Sequence, residues 1–258
     1  MSDPAIEVIN LSLAYEVDKR LAGTFKGALI DRLRNRTERE KFFAVNDVTF
    51  QIEAGETFGI IGPNGAGKST MLAVIAGVLP PTIGRVVVRG KVAPIIGLGA
   101  GLDNEMTARE NILLYGALFG RSNADMKERV RKILTWAELD DHEYQPVRTF
   151  SSGMVARLAF SVATDIQPDI LLADEVFAVG DERFRNKAEE RMRSLLSGGT
   201  TVMMVSHNLR QIAEHCDRVL WLDHGRIVEI GPAEQVTKLY KEASMNPTEK
   251  AVGEPGAP

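Results

Sequence analysis

Gly62-Pro63-Asn64-Gly65-Ala66-Gly67-Lys68-Ser69-Thr70 decides the fold, because it follows an apolar run at 57–61 and precedes a helix-like run at 71–76. A strand, a glycine loop and a helix in that order form a phosphate cradle. Gly62, Gly65 and Gly67 let the backbone turn tightly and aim its N–H groups inward, and the helix N-terminus adds about half a positive charge facing a bound anion. Lys68 can then reach β- and γ-phosphates, and Ser69 supplies a hydroxyl with the right reach for Mg²⁺. All nine residues from Gly62 to Thr70 are therefore expected to contact the nucleotide.

A second chemical signal lies at Asp174-Glu175, which ends the strand-like run at 169–173, apolar from Ile170 to Ala173. That pattern describes a buried parallel strand delivering two acids at its C-terminal edge, where ligands sit in open α/β sheets. Asp174 is placed to orient a Mg²⁺ shell. Glu175, one residue on and facing the other way, is placed to polarise an attacking water.

Composition fits a nucleotide-using domain. With 258 residues, 44% of them hydrophobic, the chain is long enough for one domain with an inserted subdomain. The net charge of −4 argues against a nucleic-acid binder working through overall electrostatics. A single cysteine, Cys216, cannot form an intrachain disulfide, which suits a reducing compartment. The four histidines show no metal-ligand spacing, so no structural zinc is expected. The N-terminus lacks the basic and apolar regions of a signal peptide, and no apolar stretch reaches the roughly 18–20 residues of a membrane span. Any membrane role is expected to be exercised from its surface.

Strands are expected at 6–15, 45–52, 57–61 and 85–88, with the phosphate-loop helix between the last two. Residues 103–165 read as a helical insert, with helical spacing at 108–119 and 126–139 and a break at Pro146. After Pro168 the order is strand 169–173, helix 183–196, strand 200–205, helix 209–215, strands 219–222 and 227–230, and helix 233–244. The tail at 245–258 carries three prolines and two glycines and is expected to be disordered. The expected class is α/β, a P-loop NTPase core with an antiparallel β subdomain and an inserted α-helical signature subdomain.

Phe150-Ser151-Ser152-Gly153-Met154, taken with the phosphate loop, the Asp174-Glu175 strand and Val205-Ser206-His207, resembles the nucleotide-binding subunit of ABC transporters. The family signature is usually Leu-Ser-Gly-Gly-Gln; Ser151 and Gly153 match it, and Phe150, Ser152 and Met154 depart from it. The resemblance spans nearly everything from Ile6 to Ser244, an ATPase domain covering 1–244. It implies a homodimer sandwiching two ATP molecules, each held by the phosphate loop of one subunit and by Ser151 and Gly153 of the other. His207 matches the histidine that contacts the γ-phosphate and helps hold the water, so Glu175 and His207 are the implied catalytic pair, with Ser69 and Asp174 on Mg²⁺. Asp181 matches an acid of the loop that spans the dimer interface, with a helix N-cap as the alternative. The family's glutamine before the helical insert aligns with Gly97, which has no side-chain donor or acceptor. The aromatic residue that stacks on adenine is Tyr15, which ends the first strand, or Phe43, which lies nearer the usual distance from the loop.

Ser-Ser-Gly-Met at 151–154, Glu175-Val-Phe-Ala-Val-Gly-Asp181 and the run at 97–112 resemble the branch that exports polysaccharides and polyol phosphates. This implies an integral-membrane permease partner, a lipid-linked glycan of O-antigen type as cargo, and a peripheral position on the cytoplasmic face of the bacterial inner membrane. Some longer relatives append a carbohydrate-binding β-sandwich; this chain ends at Pro258, so recognition of a glycan cap is not expected on it. The alternatives are an ABC ATPase of another transport class, or a non-transport ABC ATPase. Residues 16–41 form an insertion with eight Lys or Arg against five acids, a net of +3 against −7 for the rest. Leu21, Phe25, Leu29, Ile30 and Leu33 recur at helical spacing with Arg32, Arg36 and Arg39 around them, which suggests a membrane-side helix attracted by anionic lipid or by lipid-linked pyrophosphate. A solvated loop, or a helix packed on the core, is the plainer alternative.

Overall fold

The computed structural model describes residues 3–18, 39–95, 101–165, 167–174 and 182–245. Most of the basic insertion lies outside these residues, as do Gly97, Glu175, Asp181 and the tail beyond Met245.

Two sheets carry the described fold. The first is antiparallel, with strand order β2-β1-β4, where β1 is Ile6–Asp18, β2 is Arg39–Ile52 and β4 is Ile83–Val88. The second has order β5-β6-β7-β3-β8-β9, built from β3 (Thr57–Ile61), β5 (Val92–Ile95), β6 (Ile170–Asp174), β7 (Thr201–Val205), β8 (Arg218–Asp223) and β9 (Arg226–Pro232). It is parallel except for the closing β8–β9 hairpin.

β3, β6 and β7 are apolar almost without interruption because both faces of this sheet are covered. Phe58, Ile60, Leu172, Met203, Leu220 and Leu222 point toward the antiparallel sheet and α1 (Lys68–Ile75). Their neighbours one residue along, among them Leu171, Ala173, Val202, Met204, Val219 and Trp221, share the opposite core with Phe160 and Phe184. These last two lie on α4 (Ser152–Asp165) and α5 (Glu182–Ser197). The alternation is the period-2 pattern of a strand turned into two hydrophobic layers.

A third core belongs to the helical insert. Ile112 and Tyr115 of α2 (Ala108–Leu118) meet Met126, Val130, Ile133 and Leu134 of α3 (Asn123–Ala137), and Leu158 and Val162 of α4. α4 thus serves both units, giving Ala156, Phe160 and Ala163 to the sheet and Leu158 and Val162 to the insert. Among the described residues two further helices follow, α6 (Leu209–His215) and α7 (Ala233–Met245).

Several sequence expectations are corrected. β1 and β2 run well beyond 15 and begin well before 45, so the stem of the insertion is a long antiparallel ribbon. β5 was not anticipated: four residues with a central proline look like a loop. Pro94 is tolerated because β5 is the edge of its sheet, where a missing N–H costs no ladder bond. The phosphate-loop helix starts at Lys68, not 71. Pro146 does not end the helical unit; it bridges to Thr107 and leads into a 3₁₀ turn at Val147–Thr149 before α4 begins.

Candidate active site

The loop at 62–67 connects β3 to α1 at the C-terminal edge of the parallel sheet. Gly62 and Gly67 have φ of 148° and 103°. A Cβ on Gly62 would stand 2.0 Å from the Leu222 carbonyl oxygen, and one on Gly67 would stand 2.2 Å from that of Ala44. Both positions therefore require glycine twice over, by dihedral and by close approach. The loop is braced from the turn between β8 and β9: the Gly225 N–H donates to the Ala66 carbonyl at 3.0 Å, and the Asn46 N–H of β2 ties that turn in place through the Gly225 carbonyl at 2.8 Å. Gly67 caps α1 in a left-handed conformation with no side-chain bond, so no hydroxyl or carboxylate competes for the first N–H groups of the helix.

Lys68 is 7% exposed, and its Nζ donates to the carbonyls of Gly62 (2.8 Å) and Pro63 (2.9 Å). Its charge is thereby held across the mouth of its own loop. The Ser69 hydroxyl donates to Asp174 Oδ2 at 3.0 Å, joining residues 105 positions apart. β6 is responsible, since its parallel register pairs Asp174 with Val205 and brings the acid to the same sheet edge as the loop.

Tyr15, Asn64, Gly65, Gly67, Lys68, Ser69, Thr70, Asp174 and His207 line one depression of about 300 Å³, together with Phe42, Ala44 and Val205. Gly62, Pro63 and Ala66 shape the loop without lining the depression. Tyr15 and Phe42 are cross-strand partners, 42% and 57% exposed, and form an aromatic wall beside the phosphate loop. Phe43, the other aromatic weighed from sequence, is not part of this wall; it pairs with Ala14 one step along the ribbon. Phe42 was missed because its side depends on register. β1 and β2 slip three times between Val8 and Ala14, and each slip exchanges the faces.

Ser151 and Gly153 lie elsewhere, at the start of α4. Ser151 Oγ accepts the Met154 N–H at 3.3 Å, so the serine caps the helix. Gly153 is glycine for no internal reason: only Ser151 Oγ, at 3.9 Å, comes within 4 Å of a Cβ placed there. Neither residue touches the depression that holds Lys68 and Asp174.

The oxygen donor set fits Mg²⁺. A hydroxyl and a carboxylate in direct contact are hard ligands, and Mg²⁺ takes one or two such groups and completes its shell with phosphate and water. Among the described residues no cluster of three or more His, Cys, Asp or Glu could form an all-protein metal cage.

An uncapped, lysine-held glycine loop facing a strand-end aspartate defines a nucleotide-triphosphate cassette of P-loop type. Residues 45–178 match the ABC transporter family, and the chain belongs to that family as an ATP-binding, ATP-hydrolysing subunit. It is 39% identical over 243 residues to the O-antigen export system ATP-binding protein RfbB of Klebsiella pneumoniae, covering 93% of this chain and 99% of that one. It is 42% identical over 201 residues to the teichoic acids export ATP-binding protein TagH of Levilactobacillus brevis, covering 78% and 55%. The fold superposes on an ABC transporter ATP-binding subunit with TM-score 0.73 at 24% identity, over 92% of this chain and 93% of that one. The ATP-binding cassette MJ0796, in a dimeric post-hydrolysis state bound to ADP and Pi, gives 0.71 at 24% identity, over 88% and 98%. No helix among the described residues is long and apolar enough to cross a membrane.

Proposed function

We propose that this chain is the ATPase subunit of an exporter for a lipid-linked polysaccharide of O-antigen type, working as a homodimer with an integral-membrane permease. Its place is the cytoplasmic face of the bacterial inner membrane. The observation that carries the catalytic part is the Ser69–Asp174 hydrogen bond beside an uncapped α1. The cargo class is supported by identity near 40% to export ATPases for both O-antigen and teichoic acid. The match across nearly the whole of the Klebsiella protein favours the O-antigen type.

In this reading, ATP enters with its base against Tyr15 and Phe42 and its phosphates under the N–H groups of 62–70. Lys68 exchanges its two carbonyl partners for β- and γ-phosphate oxygens, so little new ordering is required. Ser69 and Asp174 would hold Mg²⁺, which when bound would supply charge neutralisation on the phosphates. Glu175 takes the proton of the attacking water, and His207 holds that water and the γ-phosphate. Ser151 and Gly153 close the site from the second subunit, which is consistent with their distance from the loop of their own chain.

Glu175→Gln keeps shape and hydrogen bonding but removes the base. It is expected to retain ATP binding and to lower turnover about 10²- to 10⁴-fold. Lys68→Ala instead loses ATP binding. The Glu175→Gln chain with ATP should run as a dimer in sedimentation, and Ser151→Arg in that background should run as a monomer. Normal steady-state hydrolysis by Glu175→Gln would sink the catalytic assignment. For the cargo, the tagged chain should copurify with a permease and a lipid-linked glycan, and deleting it should leave that glycan at the cytoplasmic face.

A further inference from the structure

α5 has two working faces. Phe184, Ala188, Met192 and Leu195 bury one against the sheet. Lys187 and Arg191, one turn apart, occupy a neighbouring row and meet the ends of two helices of the insert. Lys187 Nζ donates to the Trp136 carbonyl at 2.7 Å in the last turn of α3 and lies 4.8 Å from the centre of that residue's indole ring. It also stands 3.7 Å from Glu138 Oε1. Arg191 donates to the Thr164 carbonyl at 3.4 Å in the last turn of α4 and stands 3.5 Å from Asp165 Oδ1, with its guanidinium 5.6 Å from the same indole ring.

The negative ends of α3 and α4 therefore converge on two cations of one helix, where unsatisfied carbonyls and helix dipole both favour positive charge. Trp136 fills the junction, stacked on Phe160 of α4 at 5.6 Å and edge-on to Phe184 of α5 at 5.2 Å. Glu138 completes it. This residue holds a left-handed conformation (φ 57°, ψ 46°) that glycine would take more easily, and its carboxylate lies between Lys187 and Arg157, the latter at 3.4 Å. A carboxylate kept at a position suited to glycine points to the ion pairs as its reason for being there.

We infer that Lys187 and Arg191 are positioning residues for ATP hydrolysis: they tie the C-terminal ends of α3 and α4 to the core and so set the angle at which α4 presents Ser151 and Gly153. This rests on the reading that those two residues act across the dimer. The lever is long. Fourteen residues of α4 span about 21 Å, so a pivot of about 5° at Asp165 displaces the Ser151 end by about 2 Å. Misplacement of about 1 Å in a catalytic constellation can cost about 10²-fold in rate.

The test compares Lys187→Met, which keeps the aliphatic stem over Trp136 and removes the charge and the N–H donors, with Lys187→Arg, which retains both. In the full chain, Lys187→Met is expected to bind a fluorescent ATP analogue within about twofold of the parent, because the phosphate loop is untouched, while kcat falls at least about fivefold. Amide exchange should quicken in the first turns of α4 and stay unchanged in α1. Lys187→Arg should recover most of kcat. An unchanged kcat with unchanged exchange overturns the inference, as does a parallel loss of binding and kcat that Lys187→Arg does not repair, the mark of a general folding defect. Should the Glu175→Gln parent fail to dimerise with ATP, the sandwich reading fails by itself, and exchange in α4 still decides whether Lys187 orders that helix.

Discussion

At Gly67 and Gly153 the same residue type serves opposite ends. Gly67 is held at a φ of 103° with the Ala44 carbonyl where a Cβ would sit. Gly67→Ala is expected to cost about 1–3 kcal/mol in backbone strain before the clash is counted, lowering Tm and abolishing ATP binding together. Gly153 has open space around it in the first turn of a helix. Gly153→Ala should hold or raise Tm, since alanine is favoured over glycine in helices by about 1 kcal/mol, yet lower ATPase activity by crowding the nucleotide of the facing subunit. Calorimetry paired with a steady-state assay separates these outcomes, and full activity in Gly153→Ala would count against a close approach there. The aromatic wall makes a similar pair. Base–aromatic stacking is worth about 1–3 kcal/mol, so Phe42→Ala should weaken ATP affinity roughly five- to 150-fold in a titration. Phe43→Ala should leave that affinity alone.

The elements show how chemistry carried by short runs becomes placed. α2 is anchored by Asn111, which is wholly buried and accepts the Asp103 N–H at 2.7 Å while its amide donates to the Asp103 (2.9 Å) and Thr107 (3.0 Å) carbonyls. It fastens the segment leading into the helix, whose N-terminus also carries a reciprocal Thr107–Glu110 capping box. Asn111→Ala strands the Asp103 N–H, costing about 1–3 kcal/mol when unsatisfied, while the Asp103 and Thr107 carbonyls keep the backbone N–H groups of Met106 (3.2 Å) and Asn111 (3.0 Å). Urea unfolding should show a loss of at least about 1 kcal/mol, and a loss below about 0.5 kcal/mol would mean that water replaces the amide. The phosphate-loop strand and helix and the strand ending in Asp174 were legible because each is a contiguous run whose period or glycine spacing states its geometry. β5 was not, since four residues at a sheet edge carry no period. The pairing of Tyr15 with Phe42 was not either, since three register slips lie upstream of it.

The whole molecule is a doubly covered sheet with a helical unit attached through α4, and its burial has a measurable signature at Cys216. Burial pushes that thiol up from 9.0 to about 12, with Asp217 adding to the effect. The unfolded thiol ionises near pH 9 and the folded one does not, so its contribution to stability is complete below pH 9 and is lost as the pH rises from 9 toward 12. The gap in unfolding free energy between the parent and Cys216→Ala should narrow steadily from pH 9 upward, as read from denaturant titrations, and at pH 8 a thiol reagent should modify Cys216 only as fast as the chain unfolds. A gap independent of pH would mean that the site opens to water. The cradle, the acid-tipped strand, the helical insert and the family were readable from the chain alone, because each depends on residues adjacent along the backbone and on dihedrals few residue types can adopt. Tertiary structure alone decided which aromatic residues stand beside the phosphate loop and that Lys187 meets Trp136. Those outcomes depend on strand register and helix packing, which bring together residues tens of positions apart and leave no spacing in the sequence to announce them.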